Sequence, residues 1–118
     1  MQNTNTSPSD ETATIRKLND SCRRQPFSLT CTWLETSGIA ALPSEERAAI
    51  REKVTRFDNF TLDNDPHGEH DFGAFEHNGE RIFWKIDYYA PDMQHGSDDP
   101  SDESMTRRVL TVMLASEY

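Results

Sequence analysis

The chain has 118 residues, 34% of them hydrophobic, with two cysteines and a net charge of −9. That length suits one domain with a real core, and no apolar run reaches the roughly 18 residues that a membrane-spanning helix needs. The acidity is concentrated: residues 58–103 hold 13 Asp/Glu against 2 Lys/Arg while the flanks are nearly balanced, so nucleic acid and anionic membranes should be repelled.

The N-terminus, MQNTNTSPSDE, has neither a basic n-region nor an apolar h-region, so it does not read as a secretory signal. A cytoplasmic location follows as the expectation. Residues 1–8 read as a disordered tail ahead of a single domain spanning 9–118. Ser9 is placed to cap a helix running to about Arg24, with Asp10 and Glu11 in its first turn and Arg23 and Arg24 in its last. Ile15, Leu18 and Cys22 supply its apolar stripe, and Pro26 stops it.

From Phe27 to Glu35 the chain alternates, with Phe27, Leu29, Cys31 and Trp33 on one side, which predicts a half-buried strand. Cys22 and Cys31 sit in no CxxC or Cys/His arrangement; a single bridge between them is the alternative to the expected reduced pair on apolar faces. Gly38 falls in a turn. A second helix opens near Pro43-Ser44, carries Glu45 and Glu46 early and Lys53 and Arg56 late, and buries Ile50, Val54 and Phe57.

The segment FDNFTLDNDPHGEHDFGAFEHNGERIFWKIDYY, residues 57–89, follows. Asn78-Gly79 is the dipeptide of a type I′ hairpin turn, whose central residues both need positive φ. Counting outward pairs His77 with Glu80, Glu76 with Arg81, Phe75 with Ile82, Ala74 with Phe83 and Gly73 with Trp84. Phe75, Ile82, Trp84, Ile86 and Tyr88 then form the core face, and Ala74, Phe83, Lys85, Asp87 and Tyr89 the outward one. Residues 90–103 read as a loop. A final helix is expected over about Ser104–Glu117, burying Met105, Val109, Val112 and Met113. The order is α-β-α-β-β-α, hence an α+β fold with a small antiparallel or mixed sheet packed by three helices.

Asp63 to Asp71 concentrates metal-ligand types without a metal motif. Taken as a calcium loop from Asp63, it puts Ala74 at position 12, where a bidentate Glu is required. A zinc site from His67, His70 and His77 with Glu69 matches no known spacing. As a general base His70 would need Asp71 or Asp87 to orient it, but no nucleophile motif and no phosphate-cradling glycine loop is present. No cofactor is called for, and the sequence leans away from an enzyme.

The pattern FDNFT-x-DNDP-x-GEHDFG-x-F followed by FWKIDYY and the terminal VLTVMLASEY closely resembles an uncharacterised family of small proteobacterial proteins, a domain of unknown function. The resemblance spans about residues 12–118. It implies a cytoplasmic bacterial protein of a shared fold, of the kind found in bacteria that carry plasmids and other mobile elements, and brings no activity with it. The slot after DNDP is usually Tyr in that pattern, whereas His67 stands here, which weakens a zinc site at His67 and leaves His70 as the histidine of interest.

The expected function is that of a non-enzymatic interaction or inhibitor protein that binds a basic protein partner, a sharper version being a DNA mimic that blocks a defence complex. Its surface would comprise Asp63, Asn64, Asp65, Glu69, His70, Asp71, Lys85, Asp87 and Tyr89, the mixed aromatic and charged composition that interfaces favour. The alternative is a metal-binding protein or metal-assisted enzyme built on Asp63, Asp65, Glu69 and His70. Neither direct nucleic-acid binding nor membrane contact is expected.

Overall fold

The computed structural model describes residues 8–25 and 28–118. Helix α1 runs Pro8–Arg24, strand β1 Cys31–Glu35, the one-turn helix α2 Ser37–Ala40 and helix α3 Ser44–Arg56. Strands β2 (Phe72–His77), β3 (Glu80–Tyr89) and β4 (Arg107–Leu114) follow, with 3-10 turns at Glu103–Met105 and Ala115–Glu117. The four strands form one mixed sheet in the order β1-β4-β3-β2, with β1 parallel to β4 and the other pairs antiparallel. The fold is α+β. Of the expected tail, residues 1–7 lie outside the described residues, as do Pro26 and Phe27; α1 opens at Pro8.

The hairpin forms in the expected register, from Gly73↔Trp84 to His77↔Glu80. Asn78 (φ 51) and Gly79 (φ 80) take the left-handed conformations that the turn demands. Gly73 is required by close approach, because a Cβ there would run into the Trp84 indole. Trp84 is fully buried, with Phe57 edge-on at 5.6 Å and Phe60 at 6.2 Å.

The last element departs from expectation: residues 107–114 form a strand where a helix was predicted. Val109, Leu110, Val112 and Met113 are all buried, because β4 is a central strand with β1 on one side and β3 on the other. A strand filled on both faces loses its period-2 alternation and reads as a continuous apolar run, which spacing does not separate from a helix. Met105, expected in the core, is exposed at 42%.

The first strand is also shorter than expected, since a turn occupies Leu29 and Thr30 and leaves Leu29 wholly exposed. The expected reduced thiols are instead a disulfide joining Cys22 of α1 to Cys31 of β1. The two Cα atoms lie 5.5 Å apart, inside the range a bridge spans. Bridges of this kind persist in oxidising compartments, so the cysteines lend no support to the cytoplasmic expectation. No helix among the described residues is long and apolar enough to cross a membrane.

Helices α1 and α3 pack on one face of the sheet, against Trp84, Ile82, Ile86, Leu110 and Val112. The other face carries no α-helix among the described residues; Val109 and Met113 at the centre of it are buried all the same, and the residues around them are partly exposed.

Candidate functional site

The buried stripe of α1 is Ile15, Asn19, Cys22 and Arg23, with Leu18 only half-buried. Two of these are polar and both are fully buried. Arg23 reaches the C-terminal end of α3, where Nη1 donates to the carbonyls of Val54 (3.2 Å), Thr55 (3.0 Å) and Phe57 (2.7 Å), while Nη2 pairs with Asp20 at 2.9 Å. Its guanidinium also lies over the rings of Phe60 and Trp84, at 5.4 and 5.5 Å. Burial lowers its pKa and Asp20 opposes that. A guanidinium stays protonated through such a shift, so it remains a permanent tie between α1, α3 and the segment after it.

Asn19 binds the same segment further along. Its Nδ2 donates to the Glu69 carbonyl (3.0 Å) and the Tyr88 hydroxyl oxygen (2.7 Å), and its Oδ1 accepts from Arg108 Nε (2.6 Å). Tyr88 in turn donates to Glu69 Oε1 at 2.9 Å. Burial, ahead of the neighbouring carboxylates Glu69 and Asp71, drives the Tyr88 pKa far upward, so the phenol stays neutral and serves as a donor. Arg16 adds a bond to the Gly68 carbonyl at 3.0 Å.

The residues singled out between Asp63 and Asp71 are spent mainly on this attachment. Asn64 accepts from the Thr61 N–H at 2.9 Å and donates to the Asn59 carbonyl at 2.8 Å, which fixes its own turn. Asp65 is buried and accepts the His70 N–H at 3.1 Å. That bond supports the positive φ of His70 (58°), an uncommon conformation for a residue other than glycine. The His70 ring stacks on Phe60 with centroids 3.6 Å apart, and its Nδ1 lies 2.9 Å from Asp20. Asp71 is half-buried, and burial, followed by the charges of Glu69 and Asp65, raises its pKa. Asp63 and His67 are exposed.

Of the four residues in the metal alternative, Asp65 and His70 meet, at 3.6 Å. No group of three or more His, Cys, Asp or Glu suited to hold a metal occurs among the described residues. His70 as a base has Asp20 rather than Asp71 or Asp87 as its orienting carboxylate. The partners Asn19, Asp20 and Arg23 were missed because the stripe was read from Leu18; following i+4 from Ile15 leads through Asn19 to Arg23.

Lys85, Asp87 and Tyr89 lie together on the uncovered face, in line with Phe83 and opposite Thr111, Val109 and Arg107 of β4. Lys85 and Asp87 pair at 2.9 Å while both stay well exposed, and that bond raises the Lys85 pKa. At one end of this face Phe72, Phe83 and Tyr118 form an aromatic cluster with centroids 5.2–6.2 Å apart. At the other end β3 runs into the loop of residues 90–103, which carries Asp92, Asp98, Asp99, Asp102 and Glu103 and no Lys or Arg. Hydrogen bonds from Gln94 and His95 hold the Asp92 carboxyl below its usual range, and those from Ser104 do the same for Asp102.

An α+β domain whose sheet is covered on one face and bare on the other, with an acidic rim, is the class that fold and site define. The chain belongs to the family described as Protein of unknown function (DUF3768), whose model matches residues 35–117. The match begins at the last residue of β1, so α1 and the disulfide lie outside it. No curated protein and no solved structure matches the chain.

Proposed function

We propose that this is a non-enzymatic interaction protein that receives a basic segment of a partner protein on the uncovered sheet face, beside the acidic loop of residues 90–103. The observation that carries the reading is this face, which no α-helix covers among the described residues. Phe72, Phe83, Tyr89 and Tyr118 stay partly exposed there around the Lys85–Asp87 pair, while both long helices are committed to the opposite side. Aromatic anchors with a charged rim are the composition of interface hot spots. An exposed ion pair contributes little to the fold, so Asp87 is available to a partner's Lys or Arg. The five carboxylates of the loop supply the charge complementarity and the steering.

The surface drawn from the sequence is thereby divided. Lys85, Asp87 and Tyr89 remain in it, and Asp63 is an exposed outlier. Of the others, Asn64 and Asp65 shape the segment itself, Glu69 and His70 fasten it to α1, and Asp71 is half-buried. A DNA mimic needs carboxylates in a row at phosphate spacing, and turning Asp65, Glu69 and Asp71 inward leaves too few, so the proposal stops at a basic protein partner.

The test is a titration of isotopically labelled protein with a short Lys/Arg-rich peptide, followed residue by residue by NMR. Shifts should concentrate at residues 83–89 and 92–103 and fade with added salt. Tyr89→Ala should weaken binding about tenfold, as hot-spot truncations do. Shifts confined to residues 63–71, or none at low salt, would overturn the reading.

A further inference from the structure

The exposed edge of β1 is built to be paired. Arg108 N–H donates to the Thr30 carbonyl at 2.8 Å and Thr36 N–H to the Val112 carbonyl at 3.1 Å, and the parallel register between them runs from Cys31↔Arg108 to Glu35↔Val112. Thr30, Thr32, Leu34 and Thr36 therefore spend their backbone groups on β4. The N–H and C=O of Cys31, Trp33 and Glu35 point the other way, and none has a hydrogen-bond partner among the described residues. Beside them lies an open groove of about 950 Å³ between β1 and α3, lined by Trp33, Ala40, Arg47, Ala48, Arg51 and Thr55 among others.

The other edge of the sheet is guarded. On β2, Lys53 Nζ lies 3.2 Å from the Glu76 carbonyl, and Glu76 and Arg81 flank the position with charge. Lysine and charge on an edge are the usual means of refusing another strand. β1 has no such protection. Its only charged side chain, Glu35, turns back onto Arg47 (2.6 Å) and Arg51 (2.8 Å), which hold its carboxyl below the usual range against the upward push of burial. Thr32 and Leu34 are exposed on the uncovered face, Leu34 at 50%.

We infer that this edge seats a second copy of the same chain, β1 against β1 in antiparallel register about Trp33. In that register Trp33 exchanges both bonds with Trp33 of the second copy, and Cys31 and Glu35 exchange theirs with Glu35 and Cys31. Every outward group of both strands is then satisfied, which follows from the pattern being symmetric about its middle residue. Thr32 and Leu34 become directly opposed on the uncovered face. Electrostatics favour a copy over a basic segment: the groove's Glu35, Glu52, Arg47 and Arg51 cancel, so this patch, unlike the chain as a whole at −9, neither repels its twin nor attracts a cation. The twofold axis stands perpendicular to the sheet, giving one eight-stranded sheet with both bare faces on the same side. This goes beyond the binding reading above and does not depend on it.

Sedimentation or light scattering of the full chain, up to high micromolar concentration, should give twice the 13.5 kDa monomer mass. Leu34→Lys, which places two lysines diagonally across the dyad, should return the monomer mass while circular dichroism shows the chain still folded. Opposed residues in a non-hydrogen-bonded pair lie about 4.5 Å apart at Cα, within reach of a bridge. The double variant Thr32→Cys, Leu34→Cys should therefore cross-link two chains through the introduced cysteines, mapped by mass spectrometry. A wild-type monomer throughout, or a dimer in which the introduced cysteines do not bridge, would overturn the inference. Either result leaves the peptide titration to decide the binding reading separately.

Discussion

Replacing Arg23 by Met would keep most of the side-chain volume beneath Trp84 and Phe60 while removing the charge and four hydrogen bonds. The Val54 carbonyl would retain the N–H of Phe57 at 3.3 Å, so the Thr55 and Phe57 carbonyls are the ones orphaned. Each buried acceptor left unpaired costs about 1–3 kcal/mol. Asp20 would lose its guanidinium and keep His70 at 2.9 Å. The sum, about 3–5 kcal/mol, is in the range for removing one member of a buried charged network. Against a total stability of about 5–15 kcal/mol, and at about 3–6 °C per kcal/mol for a domain between the small and the larger size classes, the loss should be large in thermal melts and in urea titrations followed by tryptophan fluorescence. Arg24→Met, at the exposed neighbouring position, should stay within about 0.5 kcal/mol. A cost below about 1 kcal/mol for Arg23→Met would refute the claim that this side chain ties α1 to the segment after α3.

Gly73→Ala should lower stability by about 1–3 kcal/mol, the usual range for overpacking, because the new methyl would lie 2.6 Å from Trp84 Cε2 in the core; an unchanged urea midpoint would contradict that close approach. Asp71→Asn should stabilise the protein at neutral pH. The raised folded-state pKa means that ionising Asp71 costs more in the folded than in the unfolded chain, so the advantage of Asn is full above that pKa and disappears as pH falls through the unfolded value, near 3.9. An advantage that persists at pH 3, or none at pH 7, would count against burial as the cause. Reducing the Cys22–Cys31 bridge, nine residues apart in sequence, should cost about 2–3 kcal/mol on the chain-entropy account, read as a drop in melting temperature with dithiothreitol that the Cys22→Ala, Cys31→Ala variant does not show.

Much of the hairpin was determined by sequence alone. Asn78-Gly79 fixes the turn, the turn fixes the register, and the register sets Lys85, Asp87 and Tyr89 on one face and Trp84 on the other, since side chains alternate strictly along a strand. The extent of α3 was equally legible, because Pro43, its early glutamates and its late cations are local signals that act within one turn. What only the tertiary structure decided were the features that depend on contacts between distant segments. β4 is a strand because β1 and β3 both pair with it, and an apolar run buried on two faces carries no period of its own. Cys22 and Cys31 are bridged because the fold brings the end of α1 and the start of β1 to 5.5 Å at Cα. Asn19 and Arg23 are buried because Tyr88, Arg108 and the carbonyls after α3, from 31 to 89 residues away, converge on them. The acidic stretch that stood out in the sequence is thereby divided by burial: Asp65 and Glu69 are spent on hydrogen bonds within the fold, Asp71 is half-buried at a cost, and the charge left for a partner lies on the loop beside the sheet face that no α-helix covers.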